Sequence, residues 1–483
     1  MTFSSLVFLF LFLPLFFVGY YLTPVRYRNY TAVLGSLAFY AWGAPRFVFV
    51  LLGASLFDYL IAKLIYRHSS RPKLKKRLLF SSIVFNLALL FYFKYANFFI
   101  DQVQQVLAAF DMAPLPWVGV VLPIGISFFT FHKLSYTVDV YQGTVEPARD
   151  FATFALYITL FPQLIAGPII RYHDIANQLI EREHSIDQVF AGFFRFCVGL
   201  AKKILIADQL AGIADKLFAA ELSGLPVHYA WLGILSYAFQ IYFDFSGYSD
   251  MAIGLGQMMG FRFPENFNQP YTARNITDFW RRWHITLSAW MREYLYIPLG
   301  GNRHGTVRTY LNLWIVFLLS GLWHGASWTF VFWGAFHGFF LVIDKLFWLK
   351  FSARLPKIVN VSLTFLLVLI GWIFFRSETF SQALTYLTHL FGLGAIVPPK
   401  TGLLSQPSLL GITTHRALYT FALAAAICFS PLLGTTKLKQ LILAQTDKAT
   451  VTVLQFVAIL LLLSLSILSI ANAKFIPFIY FRF

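Results

Sequence analysis

"LNLWIVFLLSGLWHGASWTFVFWGAFHGFFLVI", residues 311–343, carries no charged side chain. It exceeds the ~20 residues that a helix needs to cross a hydrocarbon layer. Read as one helix from Tyr310, it places His324 ~21 Å along the span at ~1.5 Å per residue, near mid-membrane. An imidazole at that depth needs a partner or a water-filled cavity, and an ionisable group there points to function. A His satisfied by a nearby carbonyl or hydroxyl is the plainer alternative. His337 falls ~220° around the same straight helix, so it is read as structural and off the face of His324. Gly321 with Gly325, and Gly334 with Gly338, make small-xxx-small steps that admit a close backbone. Trp323 and Trp328 either wall a tunnel or are core aromatics, and the core reading is the simpler one for each.

The rest of the chain has the same character. Hydrophobic residues make up 58% and charged residues 12%, against about 25% charged in ordinary soluble domains. Spanning-length apolar runs recur at 3–21, 46–66, 77–93, 230–243, 310–345, 358–374, 413–432 and 450–470. Shorter or Pro- and Gly-broken runs lie near 30–43, 118–131, 151–170, 189–211 and 381–395. The chain reads as an all-α polytopic membrane protein of roughly ten to thirteen transmembrane or re-entrant helices. The polar intervals 171–188 and 262–309 are too short for soluble domains and read as interfacial helices and loops. The expected organisation is one integral-membrane domain over 1–483, with its His-bearing core at about 230–345.

The first run, "FSSLVFLFLFLPLFFVGYYL" (3–22), is too long for a signal-peptide core and has no basic flank or cleavage site, so it is expected to remain as a helix. Cys197 and Cys428 lie in separate apolar runs, which suggests neither a disulfide framework nor a metal site. The net charge of +17 is spread over short loops instead of one basic stripe, which argues against nucleic acid as a partner. It suits membrane orientation: "RYR" (26–28) and "RHSSRPKLKKR" (67–77) mark cytoplasmic loops and put the N-terminus outside.

Two further stretches carry chemistry. "NITDFWRRWHITLSAWMREYLYIPLGGNRHG" (275–305) holds His284 and is dense in Arg and Trp. Either it is an interfacial helix with Arg281, Arg282 and Arg292 on lipid phosphates, or Arg281, Arg282 and Arg303 form a vestibule for an anionic donor such as a coenzyme A thioester. "QIYFDFSGYSDMAIGLGQMMGFRFPENFNQPY" (240–271) buries Asp244 and Asp250 in a spanning pattern. They either orient a His or neutralise a nearby Arg to brace the fold.

"FDFSGYSDMAIG" (243–254), "NITDFWRRWHITLSAWMREYLYIPLGGNR" (275–303) and "SGLWHGASWTFVFWGAFHG" (320–338) resemble the membrane-bound O-acyltransferase (MBOAT) family, within it the bacterial branch that acetylates polysaccharides such as alginate. "YFKYANF" (92–98), "LPIGISFFTFHKLSYTVDVYQG" (122–143), "FPQLIAGPIIR" (161–171) and the ending "FIYFRF" (478–483) extend the resemblance over nearly the whole chain. It implies helices around a central tunnel, with His324 as the catalytic histidine and His284 as the second polar position. It also implies acetyl transfer from a cytoplasmic donor, acetyl-coenzyme A, with no permanently bound cofactor, in the bacterial inner membrane. An extracytoplasmic acetyltransferase of the serine-esterase type is the implied partner. Peptidoglycan O-acetylation and D-alanyl transfer use the same His-bearing segments.

A desolvated imidazole is favoured in its neutral form, so His324 can act as a general base, with Trp323 beside it as tunnel wall. A covalent acetyl-histidine is the alternative. Cys197 lies outside the His motifs and is a poor nucleophile. A transporter would also keep polar groups in broken helices, but no inverted repeat supports one.

Overall fold

A backbone in hydrocarbon must satisfy its own hydrogen bonds, and among the described residues every regular element is helical. The structure is a computed structural model that describes residues 1–220, 226–393, 414–435, 447–472 and 478–479. The protein is a multi-pass membrane protein. Six described helices are long and apolar enough to cross a membrane: Phe47–Arg67, Pro72–Ala109, Trp328–Ser352, Lys357–Arg376, His415–Leu433 and Lys448–Asn472. The apolar helix Phe8–Leu22 is shorter. Residues 394–395 and 413 of the expected runs, and 480–483 of the ending motif, lie outside the described residues.

The chain divides into two compact units, Met1–Phe193 with Ala252–Pro264, and Phe194–Met251 with Glu265–Phe483. The first contains α1 (Phe8–Leu22), α2 (Arg28–Gly43), α3 (Phe47–Arg67), α4 (Pro72–Ala109), α5 (Ile126–Gln142), α6 (Phe151–Thr159) and α7 (Tyr172–Ile180). Helix α5 is buried on nearly every face although it carries Thr130, His132, Lys133, Ser135, Thr137 and Asp139. Its polar groups meet partners. Lys133 lies 3.5 Å from the Asp58 carboxylate, both side chains 0% exposed, and Asp58 accepts hydrogen bonds from Ser82 at 2.5 Å and Asn86 at 2.8 Å. Gly143 ends α5 at φ +76°, and Thr144 N–H donates to Asp139 C=O at 3.0 Å, a left-handed glycine cap.

Two of the shorter or Pro- and Gly-broken runs show where they break. The run 118–131 is irregular until Gly125, whose φ of +78° precedes the start of α5. The run 151–170 breaks after Thr159, where Pro162 lies in the short turn Phe161–Leu164. A proline removes a helical N–H and clashes with the preceding turn.

Helices α8 (Ile186–Ala201) and α10 (Val227–Met258) contribute residues to both units. The second unit also contains α9 (Asp208–Ala219), the short α11 (Ile276–Trp280) and α12 (Ile285–Met291), α13 (Gly305–His324), α14 (Trp328–Ser352) and α15 (Lys357–Arg376). It continues with α16 (Phe380–Leu390), α17 (His415–Leu433) and α18 (Lys448–Asn472).

The stretch 311–343 is therefore not one helix. Gly325 adopts extended backbone at φ −162°, and α13 and α14 form a hairpin around residues 325–327. Gly321 and Gly334 make that hairpin tight: a Cβ on Gly321 would collide with the Phe330 carbonyl, and one on Gly334 with the Phe317 carbonyl. The small-xxx-small pattern is thus a packing device between the arms.

Candidate active site

His324 is the last residue of α13, placed at a hairpin turn and not midway along a helix as the straight-run reading supposed. Its burial holds regardless of that change. The imidazole is walled by aromatic rings: Trp323 at 4.8 Å between centres, Trp333 at 4.9 Å and Phe375 at 5.4 Å, all edge-on. The hairpin also removes the premise that separated His337 from His324, because Trp333 touches both, with its centre 4.9 Å from each. His337 accepts a 3.3 Å hydrogen bond from Trp280 Nε1 and stacks near Phe279, which ties α14 to α11.

His284 lies just before α12 with φ +44° and ψ +54°, a left-handed conformation uncommon outside glycine. Main-chain bonds on both sides hold it: Asn268 N–H donates to Arg282 C=O at 2.9 Å, and Ile285 N–H to Asn266 C=O at 3.0 Å. Its Nδ1 is 3.0 Å from Asn266 Oδ1, and its ring meets Phe245 edge-on at 4.7 Å. Trp323 is the common neighbour of both site histidines, 6.2 Å from His284 and 4.8 Å from His324. Together those distances put the two imidazoles within about 11 Å of each other. Trp328 departs from its core reading: it is 59% exposed at the start of α14.

A cavity of about 580 Å³ opens beside α12 and α13. Its lining includes Arg281, Arg292 and Lys345 with Tyr296, and one face of α13 through Leu313, Val316, Phe317 and Ser320. Ser320 is one helical turn, ~6 Å, before His324. Of the three arginines expected at a vestibule, only Arg281 lines this cavity. Arg282 is paired with Asp278 at 2.8 Å, an i,i+4 contact, and Arg303 lies in an exposed turn after Gly300. Lys345 was not singled out from the sequence, because it stands far along the chain on the second arm of the hairpin.

Asp244 and Asp250 meet basic groups and not imidazoles. Lys203 lies 2.8 Å from Asp244, which also accepts the Ile479 N–H at 2.7 Å. Asp250 is held by Arg195 at 2.9 Å and Lys202 at 2.6 Å, and Arg195 reaches on to Glu265 at 2.5 Å. Asp250 meets an arginine, as in the bracing alternative, whereas Asp244 meets a lysine in place of the expected arginine.

Sequence reasoning also missed Asn266 and Asp344. Asn266 joins Ser249, His284 and Thr286. Asp344 accepts from Thr277 N–H at 2.7 Å and Thr277 Oγ1 at 2.8 Å, which anchors α11. A single amide in a polar loop and a single carboxylate near a helix end have no periodic signature.

With this geometry in place, residues 38–377 match the model of the membrane-bound O-acyltransferase family. The chain is similar to the probable alginate O-acetylase AlgI of Azotobacter vinelandii, 42% identical over 501 residues that cover 100% of both chains. It is 48% identical over 394 residues to the probable alginate O-acetylase AlgI of Pseudomonas aeruginosa, covering 82% of this chain and 75% of that one. The peptidoglycan O-acetyltransferase of Helicobacter pylori is 38% identical over 433 residues, covering 82% of this chain and 81% of that one.

Proposed function

We propose, from the premise that this chain belongs to the membrane-bound O-acyltransferase family, that it is the membrane acetyltransferase of a polysaccharide O-acetylation system, with alginate as the polymer. The chain is an acyltransferase; acetyl, its donor and its acceptor are our reading. Acetyl-coenzyme A is the donor, taken from the cytoplasmic face of the bacterial inner membrane, and the polymer lies on the opposite side. The observation that carries the reading is a cavity whose lining along α13 ends at Ser320, one helical turn before His324. Arg281, Arg292 and Lys345 offer cations to phosphates, and the apolar face of α13 leads to Ser320, one turn from the imidazole.

In this reading His324 accepts the proton of the acceptor hydroxyl as that oxygen attacks the thioester carbonyl carbon. The C–S bond breaks, and the proton passes from the imidazolium to the departing thiolate. The acceptor is a hydroxyl presented from the outer side by a partner of the serine-esterase type, which then acetylates the polymer. No polar segment of this chain is long enough to supply such a domain itself. Acetylation of peptidoglycan is the second reading, supported by the similarity to the Helicobacter pylori protein.

The test is His324→Ala in the purified protein and in its host. Loss of a general base costs about 10²- to 10⁴-fold. We expect acetyl transfer to disappear at normal membrane abundance. Undiminished polymer acetylation by a well-expressed variant overturns the reading.

A further inference from the structure

We propose that Asn266 is the positioning residue of His284, holding its imidazole as the Nδ1–H tautomer so that Nε2 is the nitrogen that accepts a hydrogen bond from substrate while His324 takes the proton. This rests on the reading of His284 as the second polar position of the reaction site, beside His324 as the base.

The other partners of the Asn266 amide fix which of its ends faces the ring. Asn266 Oδ1 lies 2.9 Å from Thr286 Oγ1 and 3.4 Å from Thr286 N, while Nδ2 lies 3.0 Å from Ser249 Oγ. A backbone N–H only donates, so the end of the amide toward Thr286 must be oxygen. The same oxygen is 3.0 Å from His284 Nδ1. An amide oxygen only accepts, so Nδ1 must carry the proton. Turning the amide over would set its NH₂ group against the Thr286 N–H, donor facing donor. In a neutral imidazole with Nδ1 protonated, Nε2 holds the lone pair. His284 therefore presents an acceptor to a hydroxyl or thiol, and in this form it cannot donate to a carbonyl or oxyanion.

The surroundings keep this arrangement in place. Asn266 and His284 are both buried, where an amide and an imidazole must find partners. The left-handed backbone of His284 is fixed by the main-chain bonds from Asn268 and Ile285 to its two sides. A residue held in that region persists where its surroundings over-determine it, and such residues cluster at functional sites. The neighbouring Glu265 is bound by Arg195 at 2.5 Å, and Arg195 also holds Asp250 of α10 at 2.9 Å. Ser249, which orients the amide, stands next to Asp250 on the same helix. The network around Asp250 thus secures the loop that presents Asn266.

The experiment compares Asn266→Asp, Asn266→Leu, His284→Ala and the Asn266→Leu/His284→Ala double variant, all as full-length protein. The readouts are kcat and KM for coenzyme A release from acetyl-coenzyme A in host membranes that hold the acceptor partner, and the melting temperature of the purified protein in detergent. Asp keeps an acceptor oxygen toward Nδ1; Leu has a similar shape and none. We expect Asn266→Leu to lower kcat on the order of 10²-fold at unchanged KM, and Asn266→Asp to stay within about tenfold of wild type. The double variant should be no worse than His284→Ala, since a group acting only through His284 has nothing left to position. If Asn266→Leu does not fold, Asn266→Ala takes its place. Full kcat in the Leu variant, equal loss in Asp and Leu, or a double variant far below His284→Ala each overturns the proposal. An active His284→Ala instead overturns the reading on which it rests.

Discussion

The imidazole of His324 meets the indole of Trp333 edge to face, with ring centres 4.9 Å apart and planes at 87°. Trp333 also packs against Phe375 at 5.1 Å and Trp372 at 6.1 Å, so one indole on α14 couples the orientation of His324 to α15. The ring that closes the hairpin therefore also aims its histidine.

Replacing that indole separates the two jobs. Trp333→Phe keeps an aromatic wall and should retain acetyl transfer within about tenfold. Trp333→Ala leaves a cavity that costs about 3–5 kcal/mol and frees the imidazole to turn. We expect a lower melting temperature and a kcat loss exceeding that of Phe, read by detergent melts and steady-state assays on the same preparations.

In the first unit, the buried Asp58–Lys133 pair should behave asymmetrically. Removing one partner strands a charge, at about 3–5 kcal/mol. Asp58→Asn and Lys133→Met should each lower thermal stability, and the double variant should recover most of the loss. Additive losses in the double variant would show that the two side chains act independently.

The orientation inferred from the basic loops can be read by labelling. Cys197 and Cys428 are buried, so the wild-type protein should give little background. Ser70→Cys, between α3 and α4, should react only from the cytoplasmic side. Pro45→Cys, beside Ala44 between α2 and α3, should react only from outside. The reverse pattern at both positions inverts the topology.

Acid should weaken the first unit through His184. Burial, with Arg28 and Arg182 nearby, holds this imidazole down from 6.5 to about 4. The ring lies 3.0 Å from the Tyr20 hydroxyl, which donates to Met259 C=O at 3.0 Å. Between those two values the unfolded chain binds a proton that the folded chain refuses, so stability is full above about pH 6.5 and falls as pH drops toward about 4. Melting temperature measured across that window should decline, and His184→Gln should flatten the slope.

How much of this was legible in the sequence depends on the range of the interaction. Helices α3, α15 and α18 follow directly from apolar runs at 46–66, 358–374 and 450–470. Arg282 with Asp278 was readable in principle from its i,i+4 spacing. The break at residues 325–327 was concealed because Gly, Ala and Ser are as permissible inside a packed membrane helix as in a turn. The partners of Asp244 and Asp250, namely Lys203, Lys202 and Arg195, come from neighbouring helical segments, and no spacing rule reaches across helices. Asn266 was hidden for the same reason, since its importance lies in three neighbours that only the folded loop assembles.

The hydrogen bond from Ile479 N–H to Asp244 sets a timetable for synthesis. Phe478 stacks on Tyr248 at 4.5 Å beside that bond, so two α10 residues receive contacts from residues translated about 230 positions later. At about 5–20 residues per second, the ribosome needs tens of seconds to travel from one to the other. Through that interval Asp244 has Lys203 but not its main-chain donor, and the surface of Tyr248 that receives Phe478 stays uncovered. A nascent chain in that interval would thus present an open seam to the insertion and quality-control machinery, and the arrival of residues 478–479 would be the event that closes it.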